Sequence, residues 1–289
     1  MRSGFLVPGA IGPVSLAGGG LADPVPVAGA ELLANGDFSA WTGDNPDGWT
    51  LAIPATSDIE EAAGGTARFY RGAASGAPYI SQVILTSHSW YMVATEIVSV
   101  STPSVAVQDL NNVLSATYQT PGAKIQSGRV ASTSIRWYMT PGGADAVIDN
   151  LSCRKLTLSS LISARAYASA DCDISVAVTR TAGTQAGISA RVDSATSPAN
   201  FIIAYLDGAG NVKVDKAVLG VYTNVISGAI TYVAGQVLRL VCSGTTVMAY
   251  YNGLLVGSAG VADAGIVSNV RHGKFSTYAA NTFADYIAA

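Results

Sequence analysis

From residue 32 onward, short apolar runs rich in Val, Ile, Thr and Tyr alternate with turn clusters. The spacing, about one strand-sized run every 8–12 residues, is that of a β-sandwich. No segment keeps a helical period over several turns. Residues 171–178 and 236–242 read as strands. A turn at Asp207-Gly208-Ala209-Gly210-Asn211 separates two apolar runs, and Asn252-Gly253 separates two more. Asn-Gly between apolar runs is a strong hairpin signal, because both residues accept the positive φ of a type I′ turn. The pattern breaks near Leu156, where 146–151 closes one unit and 157–163 opens another. The expected architecture is therefore all-β: an extended arm (1–31) followed by two β-sandwich (jelly-roll) domains, 32–156 and 157–289.

The first 31 residues differ in kind. They carry three charged groups (Arg2, Asp23 and Glu31) and are otherwise mostly Gly, Pro, Ala, Val, Leu and Ile. Pro8, Pro13, Pro24 and Pro26 bar a continuous helix, and Gly18-Gly19-Gly20 weakens any strand. Such a segment cannot build a core alone, so it is expected to lie against its own domains or a neighbouring polypeptide. Ala28-Gly29-Ala30 has the small-residue character of a signal cleavage site, and Arg2 offers a minimal positive start. The apolar stretch between them is broken by Pro8, Gly9, Gly12 and Pro13, which favours a docking arm over a secretion signal.

Composition narrows the partners. The 289 residues are 49% hydrophobic and only 12% charged, with net charge −3. Residues 1–31 carry −1, 32–156 carry −3 and 157–289 carry +1. No basic block exists to neutralise phosphates, which argues against nucleic-acid binding. No run approaches the ~18 apolar residues of a membrane-spanning helix. The three cysteines, Cys153, Cys172 and Cys242, are odd in number and widely spaced. That excludes a fully paired disulfide framework and a zinc knuckle. Cys172 and Cys242 lie in strand-like apolar contexts and read as small buried hydrophobes. One disulfide is compatible with three cysteines, and their spacing does not select it.

Asn35-Gly36-Asp37-Phe38 opens the first unit, with Trp41 and Pro46-Asp47-Gly48-Trp49 just behind. Ile148-Asp149-Asn150-Leu151 closes it. This bracket resembles the carbohydrate-binding modules of the family 4 and 9 type, and it covers the whole of 32–156. The resemblance implies a jelly roll. Phe38 and Trp49 are expected in its core, where each ring would bury on the order of 150–250 Å². It also implies a structural calcium near Asp37 and Asp149, for which carboxylates are suitable hard ligands. Turn capping by the same carboxylates is the alternative reading.

A sugar site needs an aromatic platform and polar groups for hydroxyls. In residues 67–71, strand alternation places Arg68 and Tyr70 on one face and Phe69 on the other. Tyr79, Trp90 and Trp137 are further platform candidates. In Trp90-Tyr91 and Trp137-Tyr138 the adjacent rings point to opposite faces, so one of each pair is expected to leave the core.

The second unit resembles the concanavalin-like (laminin-G-like) sandwich in three features. These are Gly187-Ile188-Ser189-Ala190-Arg191, the Tyr251-Asn252-Gly253 hairpin, and the closing Phe283-Ala284-Asp285-Tyr286. Ala284 departs from the acid usual there, which weakens any calcium site at that end. Hydrolases of this fold use a Glu-x-Asp-x-x-Glu strand, and 157–289 contains no Glu. Glu60-Glu61 reads as a solvated, loop-like stretch. No nucleophile elbow, HExxH, phosphate loop or dinucleotide fingerprint occurs. An enzyme is therefore not expected.

A docking arm plus two lectin-like sandwiches resembles accessory proteins of tailed-bacteriophage particles, such as head fibres, capsid decoration proteins and tail-fibre subunits. The resemblance implies a virion location, attachment to other virion proteins through residues 1–31, a homo-oligomer, and weak multivalent binding of host surface glycans. The rival reading is a secreted bacterial glycan-binding protein or adhesin.

Overall fold

The computed structural model describes residues 20–72, 76–101, 105–109, 114–140 and 144–289. The chain is almost entirely strand. Strands β1 (Ala28–Glu31), β2 (Trp41–Thr42), β3 (Asn45–Pro46), β4 (Thr50–Ala52), β5 (Ser57–Ala62) and β6 (Thr66–Arg71) come first. Then follow β7 (Tyr79–Val83), β8 (Trp90–Val100), β9 (Val105–Asp109), β10 (Ser115–Tyr118), β11 (Gly122–Arg129), β12 (Ser134–Met139) and β13 (Ala144–Leu156). Apart from β2 and β3, which pair only with each other, they form two facing antiparallel sheets. One runs β11-β8-β13-β6-β5, with β1 beside the far end of β13, and the other runs β10-β9-β12-β7-β4.

The second half begins with a helical turn, α1 (Leu158–Leu161), and continues with β14 (Ile162–Ala166), β15 (Cys172–Thr179), β16 (Ala186–Val192) and β17 (Phe201–Leu206). Next come β18 (Asn211–Val218), β19 (Val221–Ala229), β20 (Gln236–Ser243), β21 (Thr246–Tyr251) and β22 (Leu254–Gly260). A second helical turn, α2 (Ala264–Val267), leads into β23 (Arg271–Ser276) and β24 (Thr282–Ala288). The sheets are β14-β23-β16-β17-β18-β19 and β22-β21-β20-β15-β24. The Asn252-Gly253 turn joins β21 to β22 with φ of 49° and 77°, as its residues require. Among the described residues no helix is long and apolar enough to cross a membrane.

Alternation fills two cores. The first holds Phe38, Trp49, Ile59, Phe69, Ile80 and Trp137. The second holds Ile174, Val176, Ile188, Ile202, Leu238 and Leu240. Both Phe38 and Trp49 are buried, as expected, and their rings stack at 5.9 Å. Glu60 and Glu61 are not in a loop. They lie on β5, an edge strand, because Ile59 between solvent-facing neighbours anchors it in the core.

A third apolar cluster joins the two sandwiches. Strand β17 reads Phe-Ile-Ile-Ala-Tyr-Leu and is buried on both faces. Ile202, Ala204 and Leu206 enter the second core, while Phe201, Ile203 and Tyr205 turn toward the first sandwich. There they meet Trp90 and Leu156. Polar contacts frame this seam. The Ser127 amide donates to the Gly183 carbonyl at 2.9 Å, and the Ser127 and Thr277 hydroxyls lie 2.6 Å apart. The first sandwich's open edge, β11, thus receives a backbone partner from the second. Gly183 is required at this approach: a Cβ there would stand 2.3 Å from the Ile125 carbonyl oxygen.

The end of the expected arm is part of this body. Residues 28–31 pair with β13, and Glu31 is its latch. The Glu31 carboxylate accepts from the Cys153 amide at 2.8 Å, the Ser152 hydroxyl at 2.5 Å and Arg154 at 3.2 Å. Burial works against its ionisation, but these donors outweigh that and hold its pKa below the ordinary value. Upstream, the Lys274 ammonium binds the Leu21 carbonyl at 2.7 Å and Asp23 at 2.6 Å. Contacts from residues 20–31 thus reach their own chain, where the far end of β13 offers β1 an open edge. Residues 1–19 lie outside the described residues.

Candidate functional site

Most of the sequence-selected platform is committed elsewhere. Arg68 and Tyr70 do share the outer face of β6. However, Arg68 spends its fork on Asp145, at 2.9 and 2.6 Å, and on Glu60 at 2.7 Å. The Arg68 fork lowers the Asp145 pKa. Tyr70 is 47% exposed, without a neighbouring ring among the described contacts. Trp137 is fully buried in the first core, where its Nε1 donates to the Thr95 hydroxyl at 2.8 Å. Trp90 is buried in the seam between sandwiches. Neither indole can stack on a sugar.

The calcium expectation fares similarly. Asp37 accepts from the Ser39 amide and hydroxyl, and Asp149 from the Asn150 amide and side chain. Asp37 holds its turn, and Asp149 holds the bulge of β13 at Asn150. Among the described residues no group of three or more His, Cys, Asp or Glu is placed to hold a metal ion.

Tyr79 is the one sequence-selected ring that gains suitable company. Cross-strand register puts it beside Tyr138, and puts Arg136 beside Ser81 and Gln108, all on the outer face of the β10-β9-β12-β7-β4 sheet. The Arg136 guanidinium lies 5.0 Å from the Tyr138 ring and 5.7 Å from the Tyr79 ring. Tyr138, not Trp137, is the outward member of its pair. This face has an aromatic strip.

A concavity lies between the sandwiches. It is a cleft of about 790 Å³, within the ~300–1,000 Å³ of ordinary ligand pockets. Strands β10 and β11 form one wall. The other is formed by the Thr181–Gln185 loop, the Asp207–Ala209 turn and Lys213. Two side-chain amides of its lining lack complete partners. Gln126 is 3% exposed, and its Oε1 accepts the Tyr118 hydroxyl at 3.1 Å. Its Nε2, also buried, donates to no group among the described residues. The buried Oε1 of Gln185 likewise accepts nothing. The Gln185 backbone, by contrast, is fully engaged with Thr277 and Asn281.

Charge at the rim is net positive. Lys124 donates to the Thr120 hydroxyl and the Pro121 carbonyl, and Lys213 pairs with Asp207 at 3.2 Å. Burial disfavours the Asp207 anion, but the Asn211 amide, the Asn211 side chain and Lys213 outweigh it and lower the pKa. Asp207 is thus the one carboxylate of the cleft lining, and it is already occupied. Burial raises the Tyr118 phenol pKa, so the hydroxyl keeps its proton as a donor.

Sequence reasoning did not find this site. Gln126 and Gln185 sit in no motif, and the cleft exists only because β11 meets the loop at residue 183. A glycine at 183 is a signal of close approach, but not of a ligand.

No protein-family model matches the chain. No curated protein sequence matches it either. Solved structures with a similar chain course include the carbohydrate binding module CBM66 from Bacillus subtilis, at 13% identity and TM-score 0.34, covering 83% of this chain and 94% of that one. The Caenorhabditis elegans galectin LEC-6 is similar at 10% identity and TM-score 0.34, covering 44% of this chain and 89% of that one. The kappa-carrageenase from Pseudoalteromonas carrageenovora is similar at 10% identity and TM-score 0.29, covering 82% and 83%. At these values the likeness carries no assignment of function.

Proposed function

We propose that this protein is a non-enzymatic glycan-binding component, and that the sugar is received in the cleft between its two sandwiches. The observation that carries the reading is the cleft of about 790 Å³ lined from both sandwiches, with Tyr118, Lys124, Gln126, Gln185 and Lys213 among its lining residues. A sugar hydroxyl can both donate to and accept from amide side chains of this kind. An unmade buried hydrogen bond costs roughly 1–3 kcal/mol, which a polyol would recover on binding. Lys124 and Lys213 against Asp207 give the rim a net charge of +1, which favours sugars bearing a carboxylate.

The lone, engaged Asp207 supports binding without turnover. Glycosidases use two carboxylates ~5–9.5 Å apart, and the cleft lining has one. Purified protein should therefore bind without releasing reducing ends.

The test is a glycan array with arms of neutral and uronic-acid oligosaccharides, followed by titration of the best ligand. A single site should bind at roughly 10⁻³–10⁻⁵ M. Gln126→Met and Gln185→Met should each weaken binding about tenfold; Gln185→Met should leave the melting temperature unchanged or slightly raised, because it removes a buried unpaired atom, whereas Gln126→Met should lower it slightly, because it also takes the acceptor from the Tyr118 hydroxyl. No array signal, or variants that bind like the parent, would sink the reading.

We infer further that the protein is displayed in many copies on a phage particle, held by its N-terminal segment. The support is the apolar, Pro- and Gly-broken composition of residues 1–19, beyond the part that docks on its own body. Deleting 1–19 should leave the melting temperature unchanged and abolish co-sedimentation with particles. Full occupancy of the truncated protein would refute the docking. Recovery of the full-length protein free in the medium would favour the secreted adhesin.

A further inference from the structure

We propose that Cys172 and Cys242 close an intramolecular disulfide that staples adjacent strands of the second sandwich, while Cys153 stays reduced. The two residues are direct cross-strand partners in the β15–β20 ladder. Directly opposed residues of an antiparallel pair have Cα atoms about 4.5–5.5 Å apart. That lies inside the ~4.4–6.8 Å window that a disulfide spans. Both side chains point into the same core, at 5% and 1% exposure. Cys153 lies in the core of the other sandwich, and burial pushes its thiol up to about 12.

Access comes from the strand ends. Cys172 is the first residue of β15, and Cys242 is the last but one of β20. Fraying there, or the folding reaction itself, exposes both sulfurs without opening the core. Cys242 is the natural nucleophile. The neighbouring Cys172 thiol, and more weakly the charge of Arg191, lower its pKa against the opposing effect of burial. Its thiolate attacks a small-molecule disulfide such as oxidised glutathione and expels one thiolate. Cys172 then loses its proton, attacks the mixed disulfide and expels the second. The protein gives up two electrons and two protons, and the oxidant leaves as two thiols.

The bond would join positions 70 residues apart (242 − 172), a long loop whose closure restricts the unfolded chain. In an extracellular setting, such as a particle surface, it would persist.

The experiment uses the full chain, refolded in a reduced/oxidised glutathione buffer, then denatured and alkylated with iodoacetamide before intact mass measurement. One adduct is expected without reductant and three after reduction. A peptide map should join Cys172 to Cys242, and the melting temperature should rise by roughly 5–10 °C over the reduced protein. Cys153→Ala should give no adduct and keep the same shift. Cys242→Ser should give two adducts and no redox-dependent shift. Three adducts after oxidative refolding, or a linked peptide containing Cys153, would overturn the proposal.

Discussion

Trp90→Ala is expected to cost about 3–5 kcal/mol, the usual loss for a buried Trp truncated in a packed core. It should also split one cooperative unfolding transition into two. Trp90 opens β8 of the first sandwich, yet nearly all its surroundings belong to the second. Its ring centroid lies 5.2 Å from Phe275, 5.9 Å from Tyr222 and 6.3 Å from Tyr205, and its Nε1 donates to the Tyr222 hydroxyl at 2.9 Å. Truncation empties this pocket and leaves the phenol without its partner. The same seam carries Arg129, 4.6 Å above the Tyr222 ring and 3.6 Å from Asp215, which is 1% exposed. Loosening the seam would thus strand a buried carboxylate, a costly outcome in low dielectric. Guanidinium titration followed by fluorescence and circular dichroism would measure both effects. A single transition with a loss below about 1 kcal/mol would show that the sandwiches are not coupled through this residue. Because the cleft lies along the same junction, Trp90→Ala should also weaken glycan binding.

The misreading of Trp90 shows where sequence stops being informative. Alternation establishes that Trp90 and Tyr91 leave β8 on opposite faces, and they do. It does not say that the outer face is covered by another sandwich, because that depends on β17 being apolar on both sides. The same holds for Arg68, whose partners Glu60 and Asp145 come from two neighbouring strands. Turn chemistry was far more legible, since it is local. Asn252-Gly253 and the 207–211 turn lie where their residue types required. The cleft was the least legible feature. Tyr118, Gln126 and Gln185 gain meaning only when segments some 60 residues apart are packed together, and polar residues carry no period that announces such a meeting.

The bracket motif of the first sandwich lies between these extremes, and Gly36→Ala tests it. Substitution is expected to cost about 2–4 kcal/mol, from a close-packed clash and a lost backbone hydrogen bond. A Cβ at Gly36 would stand 2.2 Å from the Leu151 carbonyl oxygen and 3.2 Å from its carbon, both rigid backbone atoms. The Leu151 amide donates to the Gly36 carbonyl at 2.8 Å, so the opening Asn-Gly and the closing Asp-Asn-Leu are bound to each other directly. Asn35, at φ 49°, ties in the turn between them. Its side-chain amide donates to the Ala40 and Asp47 carbonyls, and its own carbonyl accepts the Trp49 indole at 3.0 Å. Moving Gly36 away from Leu151 would therefore also disturb Trp49, which packs edge-on against Trp137 at 5.6 Å in the centre of the core. Gly260→Ala is the matched control, because a Cβ there meets nothing within 4 Å; it should change stability by less than about 0.5 kcal/mol. Urea titrations of the two variants, with hydrogen exchange at the Leu151 amide, separate the outcomes. If Gly36→Ala behaves like the control and Leu151 keeps its protection, the two ends of the motif are not what holds this sandwich closed.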